Sequence, residues 1–138
     1  MRILKFRAWL KKDKKMVGVK MIGGGYLWTD ENWIDSINVN LAEIAHEIGV
    51  TCEVMQFTGL LDKSGKEIYE GDVFNCIYEF DGCKKHKQVV IYVEVSARFI
   101  TKDYGKCHQS GVTQTMSDMH RMEVIGNIYE NPELLNQN

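Results

Sequence analysis

The stretch MQFTGLLDKSGKEIYEGDVF, residues 55–74, places two turn signatures within a dozen residues. The first, DKSG at 62–65, has the composition of a hairpin turn, in which glycine adopts a positive φ and the aspartate accepts backbone N–H groups. The second, EGD at 70–72, indicates another sharp reversal before a strand. A phosphate loop is the alternative, but such loops usually need a helix N-terminus or a lysine beside them, whereas a strand follows here. We therefore predict a tight β corner with four structural turn residues: Asp62, Gly65, Gly71 and Asp72.

On both sides of the corner, alternating apolar and polar residues predict short strands. Residues 3–9 and 16–19 predict a hairpin around the charged turn KKDKK. The other predicted strands are Thr51–Phe57, Lys66–Tyr69, Val73–Phe80, Gln88–Val95, Arg98–Thr101 and Glu123–Tyr129. Several short strands at hairpin spacing within about 70 residues are typical of a small closed or semi-closed β-barrel.

Three segments depart from the strand pattern. Residues 26–37 mix large aromatics with acids in no clean period, and we predict that they are irregular. Apolar residues at the i, i+3, i+4, i+7 spacing predict one short amphipathic helix over residues 40–48, ended by Gly49. Near the C-terminus, Asn131 as N-cap and Pro132 at the first position predict a final turn of helix.

The composition is that of an ordinary soluble globular protein, with 44% hydrophobic and 26% charged residues. A chain of 138 residues is long enough for one domain, or for one domain with a small appended lobe. No apolar run approaches the roughly 20 residues of a membrane span, and the N-terminal residues lack the apolar region of a signal peptide. We therefore expect a cytoplasmic protein with reduced cysteines and no membrane partner.

Charge is strongly segregated along the chain, although the formal net charge is only -2. Residues 1–20 contain eight basic groups and one acid, whereas residues 21–80 contain eleven acids and two basic groups. Clustered lysines and arginines suit phosphate contacts, but the acidic middle would repel the same polyanion. The two segments can instead pair with each other, within one chain or between copies.

One group of cysteines and histidines has a partial metal-binding spacing. Cys83 and His86 can place two ligands on one zinc ion, and Cys107 with His108 would complete a tetrahedral set if the two segments met. Paired C-x2-C knuckles are missing, however, and adjacent Cys and His rarely ligate one ion together. We therefore predict no cofactor and retain these four residues as a metal-site alternative.

No residue pattern predicts an active site. The acidic side chains lie in turns or on a predicted helix face, where capping and solvation account for them, and no nucleophile–base order stands out. The nucleotide-binding patterns GxGxxG and GxxxxGK[ST] are absent. We expect a protein that acts by binding and is not an enzyme, and we assign no catalytic residues.

Three separated blocks carry a family resemblance. They are KFRAWLKKDKKM at 5–16, MQFTGLLDKSGKEIYEGDVF at 55–74 and EVIGNIYENPELL at 123–135. In this order they resemble the signature blocks of the YopX-like family of bacteriophage and prophage proteins, with departures at Leu10 and Leu61. The resemblance implies a phage or prophage protein, located in the cytoplasm of the bacterial host. It implies no activity that can be transferred, so no functional residue carries over.

The resemblance also implies a fold, which is mainly β (α+β) with a small SH3-like β-barrel in the C-terminal part. Together with the strand pattern, it predicts an N-terminal lobe over residues 1–56, containing the hairpin and the short helix. Residues 57–138 are predicted to form the barrel and the short C-terminal helical turn. No Pro- or Ser-rich linker divides the two regions.

Two binding functions follow as hypotheses. The first is a protein-interaction or oligomerisation module that presents aromatic anchors, Trp28 with Trp33 or Tyr69 with Tyr92, to a second copy or to a phage or host protein. For any one of these aromatics, ordinary core packing is the alternative.

The second hypothesis is a nucleic-acid-binding small barrel that combines basic side chains with a stacking aromatic. Its residues lie along the N-terminal strand: Arg2, Lys5, Arg7, Trp9, Lys11 and Lys12. This surface requires Trp9 to share a face with Lys5 and Arg7, which holds only if Phe6 and Ala8 form the buried side.

Overall fold

The structure is a computed structural model, and it describes residues 3–29, 45–75, 87–104, 114–115 and 121–136. The described part is mainly β. Its strands are β1 (Phe6–Leu10), β2 (Lys15–Gly23), β3 (Tyr26–Thr29), β4 (His46–Glu47), β5 (Cys52–Leu61), β6 (Glu67–Tyr69), β7 (Asp72–Asn75), β8 (Lys87–Val93), β9 (Arg98–Tyr104), β10 (Gln114–Thr115) and β11 (Val124–Asn127). Two short 3₁₀ helices lie at Glu94–Ser96 and Pro132–Leu135.

The strands form two antiparallel sheets, with the orders β4-β3-β2-β1-β5-β6 and β10-β9-β8-β7-β11. The prediction of a mainly β fold is therefore confirmed. Within the described ranges, no strand pairing closes either sheet into a barrel. The chain divides into two compact units, Leu4–Gln56 and Phe57–Asn138, and the second also includes Met1–Ile3.

The first unit contains the hairpin that the sequence predicts. β1 pairs with β2, where Ala8 lies opposite Val17, and it also pairs with β5, where Ala8 lies opposite Val54. Because side chains alternate between the two faces of a strand, Ala8 and Leu10 of β1 both point into the core of this unit. That core consists of Ala8, Leu10, Val17, Leu27 and Cys52, with Val19, Ile48 and Val54 packed against it.

Two predictions in this unit are wrong where the structure describes the chain. Tyr26–Thr29, predicted to be irregular, is strand β3 and pairs with β2. His46–Glu47, predicted to end a helix, is strand β4 and pairs with β3. A helix of nine residues has little stability of its own, whereas a neighbouring strand supplies backbone hydrogen bonds at once. The rest of both predicted segments, residues 30–44, lies outside the described residues.

The second unit buries apolar side chains on both faces of the sheet formed by β7, β8, β9 and β11. One face contributes to a core cluster that consists of Ile68, Phe74, Val90, Phe99, Met122 and Val124. The other face carries three further buried residues, Val73, Val89 and Ile100. The strand predicted to run to Val95 ends at Val93, and Val95 is 98% exposed in the 3₁₀ helix that follows.

The C-terminal 3₁₀ helix begins at Pro132, but the Asn131 side chain does not cap it. The Asn131 Oδ1 instead accepts the Asn127 N–H at 3.4 Å, and the Asn131 N–H donates to the Asn127 carbonyl at 3.0 Å. A Cβ atom on Gly126 would collide with the Asn131 carboxamide and with Leu134. The predicted side-chain cap is therefore wrong, because Asn131 packs back over a glycine of β11.

Candidate interaction surfaces

The first of the two turns in the opening stretch is organised around one buried carboxylate. Asp62 Oδ1 accepts the Ser64 N–H at 2.8 Å, the Ser64 hydroxyl at 2.7 Å and the Lys66 N–H at 2.9 Å. Its Oδ2 accepts the Val124 N–H at 3.0 Å, and Gly65, with φ of 86°, donates its N–H to the Asp62 carbonyl. Asp62 is 5% exposed, so these donors replace the water that the carboxylate loses. The side chain joins the turn to β11, which is an edge strand.

The same contacts set the pKa of Asp62. Burial acts to raise this pKa, but hydrogen bonds from Ser64, Val124 and Lys66 outweigh burial and lower it from 3.8 to about 2. A carboxylate that stays ionised at neutral pH and is surrounded by donors from its own fold does not act as a general acid there. The geometry is that of a structural group.

The second turn, at residues 70–72, also directs its polar groups into the fold. Gly71 has φ of 80°, and its N–H donates to the Val90 carbonyl at 2.8 Å. Asp72 is fully buried, and its Oδ2 accepts the Tyr69 N–H at 2.8 Å. The N–H groups of Tyr69 and Gly71 are therefore used within the fold, and this arrangement is a corner between strands.

Asn127 is a third buried polar residue of this kind, and sequence reasoning missed it. Its Oδ1 accepts the Tyr129 N–H at 3.0 Å and the Glu130 N–H at 2.9 Å, and its Nδ2 donates to the Glu130 carboxylate. In the pairing of β7 with β11 it lies opposite Asp72. The residue type could have indicated this role, because the side chain of an asparagine at the end of a strand often accepts a hydrogen bond from the backbone two residues further along.

The predicted metal-site alternative lies outside the described residues, at Cys83, His86, Cys107 and His108. In the part of the chain that the structure describes, no three His, Cys, Asp or Glu side chains are grouped to hold a metal ion. Cys52 is a buried free thiol, and burial, with a smaller effect from Glu53, raises its pKa. A buried thiol of raised pKa is a packing residue.

β1 has the two-sided arrangement that the nucleic-acid hypothesis requires. Arg7 and Trp9 are half-buried on one face, and Ala8 lies in the core on the other. Lys5 precedes the strand and is exposed. Trp9, however, lies opposite Glu53 on β5, so a carboxylate adjoins the ring that would stack on a base. The middle of β1 is therefore a poor surface for a polyanion.

The lysines after β1 differ in their surroundings. Lys11 donates to the Gly49 carbonyl at 2.6 Å and forms an ion pair with Glu53 at 2.7 Å. The residues that follow are all exposed: Lys12, Asp13 and Lys14 in the β1–β2 turn, and Lys15 at the start of β2. Arg2 lies outside the described residues. Of the predicted basic set, Lys12 is therefore an exposed lysine in the turn itself, whereas the neighbouring Lys11 is held by Glu53.

A group of exposed apolar side chains lies on the β2–β3 hairpin. Met21 is 38% exposed and Tyr26 is 42% exposed, and half-buried Trp28 lies opposite Met21. Tyr26 lies opposite Glu47 of β4, which is exposed. Directly opposed residues share a face of a sheet, so these four side chains form one surface, here termed the β2–β3 face. Trp33, the predicted companion of Trp28, lies outside the described residues.

The other predicted pair of aromatic anchors is divided by the fold. Tyr69 is buried, so its prediction as a surface anchor is wrong: its ring centroid lies 5.5 Å from that of Phe57, and its hydroxyl donates to Glu67 at 2.8 Å. Tyr92 is 40% exposed and meets Phe99 edge-on, with the centroids 5.2 Å apart. Tyr92 keeps part of its ring at the surface because it lies near the end of β8.

Many carboxylates of the acidic segment are used inside the fold. Asp62 and Asp72 are buried and accept backbone hydrogen bonds. Glu53 pairs with Lys11, which joins the acidic segment to the basic one within a single chain. Glu67 accepts the hydroxyl of Tyr69. The charge segregation of the sequence is therefore weaker at the described surface than along the chain.

Comparison with known proteins gives a family. A family model described as YopX protein matches residues 5–136. The chain belongs to the YopX protein family. The predicted resemblance is thereby confirmed. The crystal structure of protein EF1440 from Enterococcus faecalis is similar to this chain, with a TM-score of 0.64 and 28% sequence identity, and the match covers 98% of this chain and 99% of that one. No curated protein matches the chain.

In this YopX family member, the blocks that carry the resemblance form connected parts of the framework. Residues 5–16 form β1 and the lysine-containing turn, residues 55–74 contain β6 and both corners, and residues 123–135 contain β11 and the last 3₁₀ helix. The second and third blocks meet in the hydrogen bond from Val124 to Asp62. Among the described residues, no helix is long and apolar enough to cross a membrane.

Proposed function

We propose that this YopX family protein is a phage or prophage accessory protein that acts by self-association and not by catalysis. The observation that carries the proposal is the β2–β3 face, where Met21 and Tyr26 remain 38% and 42% exposed on neighbouring strands. Covering such side chains removes apolar area from water, which is worth about 25 cal/mol per Å². The phage or prophage origin rests on the YopX-like resemblance.

The charges around the β2–β3 face favour a second copy as the partner. Glu47 lies on β4, on one side of Tyr26, and exposed Lys20 precedes Met21 on β2, on the other side of β3. A two-fold axis across this face brings Lys20 of each copy towards Glu47 of the other. A surface with a cation on one flank and a carboxylate on the other is therefore complementary to itself.

Size-exclusion chromatography with light scattering at low and high salt tests the proposal. We expect the wild type to be a discrete oligomer and the double variant Met21→Ser/Tyr26→Ser to be a monomer. The matched control is Tyr92→Ser/Val95→Ser, which removes two exposed apolar side chains elsewhere and should leave the oligomer intact. A monomeric wild type at every concentration would overturn the proposal.

Charge exchange tests the two-fold arrangement separately. Lys20→Glu and Glu47→Lys should each weaken the oligomer, because each brings like charges together, and the double exchange should restore it. If the apolar variant dissociates but the double exchange does not restore association, then the face is used with a different symmetry.

We also infer that the region from Phe57 onward forms an SH3-like barrel and that the protein works in the bacterial cytoplasm. Support for the barrel comes from the family resemblance and from the five-stranded antiparallel sheet, one face of which contributes to a core cluster. The free thiol of Cys52 supports a reducing compartment. An experimental structure of the protein should show strand pairing that closes the sheet into a ring, and an open sheet would contradict the barrel. Fractionation of cells that express the protein tests its location.

A further inference from the structure

We infer that the tip of the β1–β2 hairpin contacts the phosphate backbone of double-stranded DNA. The lysine tip is defined as Lys12, Asp13 and Lys14, with Lys12 and Lys14 as the phosphate contacts. This site lies apart from the β2–β3 face, and its function does not rest on self-association.

The geometry of the turn leaves these two ammonium groups at the surface. Lys12, Asp13 and Lys14 are exposed, and the turn that they form joins the paired strands β1 and β2. The preceding Lys11 is held by Glu53 and by a backbone carbonyl. The ion pair also offsets the negative charge of Glu53, which lies opposite Trp9 on β5. The first lysine of the run is thus structural, and the contact begins at Lys12.

The backbone of Lys14 supplies an independent observation. Its φ is 49°, a left-handed conformation that glycine or asparagine adopts with less strain. The other positive φ values in the described hairpin turns of the first unit, at Gly24 and Gly25, belong to glycines. Glycine would suit this position better, so the exposed ammonium group is what a lysine adds to the tip here.

The shape and chemistry of the tip favour duplex DNA among polyanions. A two-stranded β-ribbon fits the major groove, which is about 12 Å wide, and lysines at its end can reach the phosphates on the groove walls. The lysine tip carries no apolar side chain that would enter a lipid bilayer, and a few lysines alone bind anionic membranes weakly.

Fluorescence anisotropy with a labelled DNA duplex of mixed sequence, measured over a salt series, tests the inference. The variant Lys12→Ser/Lys14→Gly removes both contacts and also relieves the left-handed strain, so it should remain folded. We expect it to raise the Kd at least about tenfold at low salt and to reduce the slope of log K against log salt by about 2. The matched control Lys66→Ser/Lys102→Ser removes the same charge from two other exposed positions and should change the Kd less than about twofold.

A variant that is expected to bind DNA more tightly distinguishes a change at the contact from a loss of folded protein, because unfolding would weaken binding. Asp13→Asn deletes the carboxylate between the two lysines, and we expect the Kd for the duplex to fall severalfold at low salt. Circular dichroism checks that every variant keeps its β structure.

The inference would be overturned if the wild type showed no salt-dependent binding of the duplex, or if the control variant lost as much affinity as Lys12→Ser/Lys14→Gly. It would also be overturned if Asp13→Asn left the Kd unchanged, or if the wild type bound heparin or phosphatidylserine vesicles as tightly as the duplex. Binding of the duplex by the monomeric Met21→Ser/Tyr26→Ser variant would show that this contact is independent of the β2–β3 face.

Discussion

The Asp62 turn and the lysine tip are both charged connections between antiparallel strands, but they use their charges in opposite ways. Asp62 is 5% exposed and accepts four hydrogen bonds, whereas Lys12, Asp13 and Lys14 are exposed. The backbone differs as well, because a glycine takes the positive φ in the first turn and a lysine takes it in the second. Charges that the fold surrounds with donors therefore stabilise a turn, whereas charges that stay exposed remain accessible to a partner.

The largest expected effect comes from removing the buried charge. Asp62→Asn keeps one acceptor oxygen but turns an NH2 group towards the donors at the other, so we expect a loss of about 2–4 kcal/mol in the free energy of unfolding. Urea denaturation followed by tryptophan fluorescence measures it. Asp13→Asn makes the same chemical change at an exposed turn and should alter stability by less than about 0.5 kcal/mol. Equal effects at the two sites would remove the distinction between the turns.

The pH dependence of stability tests whether the Asp62 carboxylate stabilises the folded state. The pKa of Asp62 is lowered from 3.8 to about 2, so its ionised form stabilises the folded state above pH 3.8, and this stabilisation is lost as the pH falls from 3.8 through 2. Unfolding measured at intervals between pH 5 and pH 2 should show the wild type losing stability more steeply than Asp62→Asn. Parallel curves for the two proteins would contradict the assignment.

Gly71 offers a smaller test of the corner. Its φ of 80° disfavours any residue with a Cβ atom, so Gly71→Ala should reduce the free energy of unfolding by about 1–2 kcal/mol. Gly23→Ala is the control, since Gly23 does not have a positive φ and has open space where the Cβ would lie. Thermal denaturation followed by circular dichroism compares the two variants, and a lower melting temperature for Gly23→Ala than for Gly71→Ala would refute the assignment.

The smallest effect is expected at the lysine tip, and it has the opposite sign. Lys14→Gly relieves the left-handed strain but increases the freedom of the unfolded chain, so we expect a change between no effect and a gain of about 1 kcal/mol. Differential scanning calorimetry resolves such a change. A clear loss of stability would mean that the Lys14 side chain supports the fold, and it would remove one observation behind the DNA contact.

The sequence predicts those parts of the fold in which local pattern and tertiary environment agree. The alternation in β1 indicates its buried face because Ala8 and Leu10, which share that face, pack in the core of the first unit. The helix pattern near residue 45 fails because a strand pair with Leu27 supplies the hydrogen bonds instead. Tyr69 is a poor anchor for a similar reason, since its surroundings come from Phe57, twelve residues away along the chain.

By itself, the sequence determined the family, the mainly β class, and the positions of the hairpin and most strands, because these depend on residue type and on the short period of a strand. Only the tertiary structure decided what each charge does. The pKa of Asp62 is lowered by the Ser64 hydrogen bond inside its own turn and then by the Val124 N–H, which belongs to a distant segment of the chain. Lys11 forms an ion pair with Glu53, which is also distant in the chain. The physical reason is that burial and hydrogen-bond partners set the energy of a charged group, and both depend on which strands the fold brings together.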